Sequence, residues 1–165
     1  MATLLQTPNF EQLLEHPYKH SLIPGVLSDI YDGRIWKEFK GESGEPFFVG
    51  SETDIRIGFS LNVDWFCPSK HVRTSVGAIY LTILNLPRHL RYKKIYTLLV
   101  GIIPGPNEPN ADQIQNYLEP LVDELQQLWQ GQLFLTRDFP IGKMVRCALV
   151  LIACDIPAAR KVCVK

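Results

Sequence analysis

The spacing of apolar residues divides the chain into an irregular first third and a regular remainder. Before residue 55 the apolar positions form only two short amphipathic pieces, Phe10 to Leu14 and Val26 to Phe39, among several prolines and glycines. The second piece has near-helical spacing, although Gly33 lies within it and glycine weakens a helix. We therefore predict a small helical extension over residues 1–54, and not a second independent domain.

From Ile55 onward the apolar pattern is that of β-strands. The first strand, Arg56 to Phe66, alternates in part, and the next two, Val76 to Leu86 and Lys94 to Gly105, are rich in β-branched and aromatic residues. One face of the first strand is formed by Ile57, Phe59, Leu61 and Val63. Because the links between the strands are short, we predict an antiparallel meander.

A long amphipathic helix is predicted after the third strand. Apolar residues from Ile114 to Trp129 form one continuous stripe at helical spacing. Asn110 or Asp112 can cap its start, and Gly131 ends it. Pro120 lies inside the helix, where its ring removes an amide hydrogen bond, so we expect the helix to be kinked or split there.

The last predicted strand ends in an acid. In the stretch VRCALVLIACDIPA, residues Ala148 to Ala153 form an unbroken apolar run, which indicates a strand buried on both faces. Asp155 follows this run almost directly. A carboxylate in such surroundings is costly unless it is paired or bound to a metal.

The order of these elements predicts the fold. Three meandering strands, a helix and a return strand are typical of a ribonuclease H-like arrangement, in which the return strand lies beside the first strand and parallel to it. Parallel neighbours bring equivalent ends together, so Asp64 and Asp155 are expected at one edge of the sheet. We therefore predict an α/β chain with a partial ribonuclease H-like core over residues 55–165, preceded by the helical extension.

Composition narrows the class of protein only slightly. The 165 residues carry 17 basic and 17 acidic side chains, so global charge does not indicate a nucleic-acid partner. The four cysteines show no CxxC spacing and are predicted to be reduced thiols in an intracellular protein. No apolar stretch reaches the roughly 18 to 20 residues of a membrane span, and no signal peptide is evident, so we expect no membrane association.

A local basic patch is nevertheless present in RHLRYKK, between the second and third strands. Arg88, Arg91, Lys93 and Lys94 are candidate contacts to DNA phosphates, with the aromatic Tyr92 among them. The alternative is an ordinary solvated loop.

Four stretches between Phe59 and Val162 carry motifs that belong together. They are FSLNVDWFCP, SVGAIYLTILNLPRHLRYKK, IPGPNEPNADQIQNYLEPLVDELQQLW and VRCALVLIACDIPAARKV. In this order and at this spacing they resemble the start of the catalytic domain in DDE/D transposases of CACTA-type (En/Spm-like) elements, particularly those abundant in fungi. The segment GVLSDIYDGRIWKEF resembles the part of these transposases that precedes the catalytic domain.

The resemblance implies a metal-dependent chemistry on transposon-end DNA in the nucleus. Two divalent cations, Mg²⁺ or Mn²⁺, would be held by carboxylates, because hard cations prefer oxygen ligands. Matching residue by residue, Asp64 corresponds to the first acid and Asp155 to the second, with Asp112 as the alternative second acid.

Each of these acids also has a purely structural interpretation. Asp64 can accept hydrogen bonds from turn amides or pair with Lys70 or Arg73. Asp155 can cap a helix that begins near Pro157, and Asp112 can stabilise the start of the long helix.

Members of the resembling family supply a third acid far beyond the motif DIPAARKV, whereas this sequence ends at Lys165. We therefore expect a truncated and catalytically inactive transposase fragment. The alternative is a non-enzymatic module that binds DNA or protein. A truncated sheet would also leave an open edge, through which the chain could oligomerise or aggregate.

Overall fold

The computed structural model describes residues 1–68 and 75–163. Within them the chain forms one mixed sheet and seven α-helices. The strands are β1 (Asp54–Phe66), β2 (Val76–Ile83), β3 (Thr97–Ile103), β4 (Gln132–Phe134) and β5 (Lys143–Ile152). The helices are α1 (Ala2–Leu5), α2 (Phe10–Leu14), α3 (His16–Lys19), α4 (Arg34–Lys37), α5 (Arg88–Arg91), α6 (Ala111–Gln130) and α7 (Ile156–Val162), and two 3₁₀-helices span Ile30–Asp32 and Lys94–Tyr96.

The sheet has the strand order β3-β2-β1-β5-β4. The pairs β1/β2 and β2/β3 are antiparallel, and β5 lies beside β1 and runs parallel to it. The predicted α/β class, the meander and the parallel return strand are therefore confirmed. The short β4 pairs antiparallel with β5 and extends the sheet by one strand.

One face of the sheet carries the larger hydrophobic core. The four alternating apolar residues predicted on one face of β1 are all buried there. They pack with Ile114 and Leu118 of α6 and with Leu5, Phe10 and Leu14 of the N-terminal helices. The period-two pattern of β1 thus confirms the prediction, since alternate side chains of a strand share a face.

The opposite face is covered by an aromatic cluster from the N-terminal extension. Trp36 stacks on Phe48 with ring centroids 3.7 Å apart, and both lie against β1 at Gly58. A Cβ atom at Gly58 would lie 2.8 Å from the Trp36 ring, so glycine is required for this close approach. Tyr31, Phe47, Leu84, Ala148 and Val150 complete the cluster.

The extension is less helical than its apolar spacing suggested. Helix α2 matches the predicted piece, but Val26 to Phe39 contains only a 3₁₀-helix and the four-residue α4. Gly33 separates the two and serves as the N-cap of α4. The oxygen Oδ2 of Asp32 accepts hydrogen bonds from the Ser28 amide, the Ser28 hydroxyl and the Asp29 amide, which fix a turn where a continuous helix was expected.

Helix α6 is continuous across Pro120, so of the two predicted outcomes, a kink or a split, the split does not occur. The ring of Pro120 removes one backbone hydrogen bond from the helix. The helix nevertheless continues, because its apolar stripe packs against the sheet both before and after Pro120. Gly131, with a positive φ of 104°, ends the helix as predicted.

Strand β5 is buried over most of its length. Val145, Cys147, Ala148 and Val150 are buried, but Ile152 and Ala153 are exposed, so the prediction of burial on both faces is wrong at the end of the run. All four cysteines, including the buried Cys147, are free thiols. No helix among the described residues is long and apolar enough to span a membrane.

Candidate functional site

Asp64 lies near the C-terminal end of β1 and Asp155 just after the C-terminal end of β5, so both are at the same end of the sheet. We call this end the acidic edge. In the parallel pair, Leu61 of β1 is the partner of Ile152 of β5, and the Ala153 amide donates a hydrogen bond of 2.8 Å to the Leu61 carbonyl. Each acid comes three residues after this pair along its own strand direction. Asp64 and Asp155 therefore follow equivalent ends of adjacent parallel strands, as the sequence predicted.

A thiol that the sequence did not indicate lies at the same end of the sheet. The Val63 amide donates to Cys154 Sγ at 3.2 Å, so the strand ends stay in contact up to the residues just before Asp64 and Asp155. Burial raises the pKa of the Cys154 thiol, and the charges of Asp155 and Asp64 raise it further.

Asp155 is the N-cap of α7. Its Oδ1 accepts a hydrogen bond of 2.8 Å from the Ala158 amide, and Pro157 lies in the first turn of the helix. The structural interpretation of Asp155 is therefore confirmed. It does not exclude a ligand role, because an ionised carboxylate has two oxygens with about four acceptor positions.

Asp64 is exposed and lies next to the second strand. It is the partner of Ala78 on β2. Burial raises the pKa of Tyr80, two residues further along β2, and the charge of Asp64 raises it further. The side chains of Asn62 and Ser60 share its face of β1. Lys70 and Arg73, the proposed pairing partners of Asp64, lie outside the described residues.

Asp112 lies in the first turn of α6 but does not cap it. Asn110 is the N-cap: its Oδ1 accepts from the Gln113 amide at 2.9 Å, and Gln113 Oε1 accepts from the Asn110 amide at 3.1 Å. Asp112 is exposed, where its negative charge favours the positive end of the helix dipole. The choice between Asn110 and Asp112 as the cap is thereby resolved.

Asp64 and Asp155 carry oxygen donors of the kind that hard cations prefer. Among residues 1–68 and 75–163, no group of three or more His, Cys, Asp or Glu side chains is arranged to hold a metal. Mg²⁺ is commonly bound by one or two carboxylates together with substrate phosphates. Cys154 is not a ligand that Mg²⁺ prefers.

The candidate DNA-binding loop lies at the other end of the strands from the acidic edge. Because β2 runs antiparallel to β1, Asp64 lies across from Ala78 near the start of β2, and the loop follows the end of that strand. The five steps from Ala78 to Ile83 span about 17 Å at roughly 3.4 Å per residue. The structure therefore does not bring the basic loop and the acids together.

Only part of the basic loop faces solvent. Arg88, Lys93 and Lys94 are exposed, as is Tyr92 at 72%. The side chain of Arg91 is only 6% exposed, and its Nη2 donates to Asp29 Oδ1 at 2.6 Å. The predicted DNA contact by Arg91 is therefore corrected, because a guanidinium buried in an internal ion pair does not face a phosphate.

The sequence profile described as Transposase family tnp2 matches residues 24–163. The match contains Asp64, Asp112, Asp155 and the basic loop. It also contains the aromatic cluster of the extension. Comparison with curated proteins and comparison with solved structures gave no match.

Proposed function

Because this chain belongs to the transposase family tnp2, we propose that the edge with Asp64 and Asp155 is the metal-binding part of a DNA-processing site. The site would be that of a DDE/D transposase of the CACTA type, built on a ribonuclease H-like core and acting in the nucleus. The strand order and the parallel β1/β5 pair support this proposal, since they are the features that the fold requires.

One observation carries the proposal. Two carboxylates from distant parts of the sequence lie at equivalent ends of adjacent parallel strands. The hydrogen bond from Val63 to Cys154 keeps these strand ends together. The cap that Asp155 forms with Ala158 orients its carboxylate, so one ligand is held in place before any cation arrives.

In this proposal, the residues of the acidic edge bind a cation and orient a phosphate group beside it. A bound divalent cation would supply Lewis-acid activation of an oxygen nucleophile and charge stabilisation at a phosphate. Asp64 and Asp155 contribute negative oxygen ligands, and the exposure of Asp64 leaves room for a phosphate group beside the cation.

We further propose that this chain alone does not cleave DNA. Two-metal catalysis needs two cations about 3.5 to 4 Å apart, and two carboxylates are few ligands for both. No third ligand joins them among the described residues. A partner that supplies another carboxylate would complete the site.

The decisive experiment is a titration with Mg²⁺ and then Mn²⁺, followed by two-dimensional NMR. We expect shifts, and broadening with Mn²⁺, confined to residues 62–66 and 153–157. Asp64→Asn and Asp155→Asn should each abolish the response. Asparagine caps helices as well as aspartate does, so the second substitution removes the charge and keeps the cap.

Asp112→Asn is the matched control, since it removes an exposed acid at the start of α6. We expect it to leave the response unchanged. A response that survives Asp64→Asn and Asp155→Asn, or one that Asp112→Asn abolishes, would refute the assignment of the two acids.

A second candidate function is DNA binding without catalysis. It is favoured by the exposed cations Arg88, Lys93 and Lys94, which lie far from the acids. This function predicts that DNA affinity is the same in Asp64→Asn/Asp155→Asn as in the original chain, with or without Mg²⁺. Binding that requires both acids and the cation would favour the first function.

A further inference from the structure

A cavity of about 260 Å³ lies between the N-terminal extension and the start of the sheet. Helix α2 contributes Glu11 and Leu14 to its wall, and the first residues of β1 and β5 contribute Ile55 and Lys143. Ligand sites are typically concave and largely apolar, with a few polar groups that fix the orientation of the ligand. Because this cavity is at the small end of such sites, it suits a compact molecule.

The ion pair between Glu11 and Lys143 lacks hydrogen bonds. The two side chains are only 9% and 10% exposed, and Glu11 Oε2 lies 3.9 Å from Lys143 Nζ, beyond hydrogen-bonding distance. The other oxygen, Glu11 Oε1, is buried and has no hydrogen-bond partner among the described residues. Since buried polar groups normally hold such partners, this pair is suited to a ligand that supplies them.

The other ion pairs in the wall of the cavity are complete. Lys19 donates to Glu15 at 2.6 Å, and Arg56 donates to Asp54 at 3.0 Å. In residues 1–68 and 75–163, four acids and three bases line the cavity, so its charge is nearly balanced. Such a wall favours a ligand with one charge of each sign over a polyanion.

The two sides of the cavity are fixed to each other before any ligand binds. Asn85 is fully buried, and its Nδ2 donates to the Leu14 carbonyl at 3.3 Å and to the Arg56 carbonyl at 2.8 Å. This one side chain therefore ties α2 to β1. Binding to a site that is already ordered costs less free energy, which favours affinity.

We propose that this cavity binds a small zwitterion, a free α-amino acid with an apolar side chain. The ammonium group of the ligand donates to Glu11, its carboxylate accepts from Lys143, and its side chain lies against Leu14 and Ile55. Both charges of the ligand are attached to one carbon atom, so they can meet two protein charges that are only 3.9 Å apart. Hydrogen bonds between charged groups are the stronger kind.

This site is separate from the acidic edge, because it lies at the other end of β1. The ten steps from Asp54 to Asp64 span about 33 Å at roughly 3.3 Å per residue. An amino acid and Mg²⁺ should therefore shift different residues, and failure of one titration leaves the other unaffected.

A ligand titration of the whole chain, followed by two-dimensional NMR, tests the site. The probes are L-leucine, L-methionine and L-phenylalanine. At least one should cause saturable shifts in residues 10–19, 50–56 and 142–144, with a Kd of about 1 mM or tighter. Absence of saturable shifts at these residues with all three amino acids would overturn the proposal.

Two half-molecules of leucine test the need for both charges. 3-Methylbutylamine lacks the carboxylate, and 4-methylpentanoate lacks the ammonium group. Each should bind at least about tenfold more weakly than L-leucine, because it loses one hydrogen bond between charged groups. Equal binding of either half-molecule would contradict recognition of a zwitterion.

Charge removal tests the two protein contacts separately. Glu11→Gln and Lys143→Met keep the approximate length of each side chain and remove its charge, so each should weaken binding at least about tenfold. Glu38→Gln is the matched control, since Glu38 is an exposed acid outside the cavity, and it should leave the Kd unchanged. A lower unfolding midpoint with an unchanged Kd would make the pair a purely structural contact. The half-molecules are compared on the unaltered chain, so they decide the question even where a variant does not fold.

Discussion

Removal of the Arg91 guanidinium is expected to destabilise the whole fold. Arg91 and Asp29 form an ion pair in which the side chains are only 6% and 7% exposed. In Arg91→Leu, the Asp29 carboxylate would remain buried without its partner. Loss of one member of a buried pair costs about 3–5 kcal/mol. Because whole domains are stable by only about 5–15 kcal/mol, this single change is a large fraction of the total.

A double-mutant cycle isolates the interaction. Asp29→Asn keeps a side chain that can cap the 3₁₀-helix at Ile30 but leaves the Arg91 charge unpaired. The double variant Arg91→Leu/Asp29→Asn removes both charges, so its loss should be smaller than the sum of the single losses by about 0.5–3 kcal/mol.

Urea unfolding followed by tryptophan fluorescence measures these free energies. Trp36 lies in the aromatic cluster against Tyr31, with ring centroids 5.2 Å apart, and reports on this region. We expect the midpoint to fall with an unchanged slope. A loss below about 1 kcal/mol for Arg91→Leu, or strict additivity in the cycle, would refute the view that the pair is a buried structural contact.

The remaining predictions concern pH, thiols and the sheet edge. Amide and hydroxyl donors lower the pKa of Asp32 to about 2. The contribution of Asp32 to stability is therefore complete above about pH 4 and is lost as the pH falls toward 2. Asp32→Asn should flatten that part of an acid-unfolding curve. Burial raises the pKa of Cys147 to about 12, so mass spectrometry after alkylation at pH 8 should find the exposed Cys163 modified and Cys147 unmodified; early modification of Cys147 would contradict its burial. β3 is an edge strand without charged residues, and its Leu99 is 61% exposed, so we propose that it pairs with β3 of a second copy of the chain. Leu99→Lys should then lower the sedimentation coefficient at high protein concentration. An unchanged value would argue against pairing through β3.

The sequence predicted the sheet well because its signals are local and repeated. Alternation along β1, the short links of the meander and the apolar stripe of α6 each fix one element, and the rule for parallel neighbours then brings Asp64 and Asp155 to one edge. The signal failed at Val26 to Phe39, where hydrogen bonds to Asp32 outweigh helical spacing.

The candidate sites were predicted less completely, because the burial of a side chain and the direction in which it points depend on residues that are distant in sequence. The pattern RHLRYKK gives no sign that Arg91 is turned inward, since the partner Asp29 lies 62 residues away in sequence. Cys154 directly follows the apolar run, and only the hydrogen bond from Val63 shows that its thiol lies against β1. The antiparallel direction of β2 was predicted, and it already implied that the loop and the acids lie at opposite edges.

The N-terminal extension and the sheet share their apolar interior, which matters for how the protein is produced. A recombinant fragment that starts at residue 24, where the family match begins, would lack Leu5, Phe10 and Leu14, which are at most 3% exposed. Truncation of even one such side chain to alanine costs about 2–5 kcal/mol. We expect such a fragment to accumulate in inclusion bodies and to be digested by trace proteases. A protein expressed for purification should therefore begin at Met1.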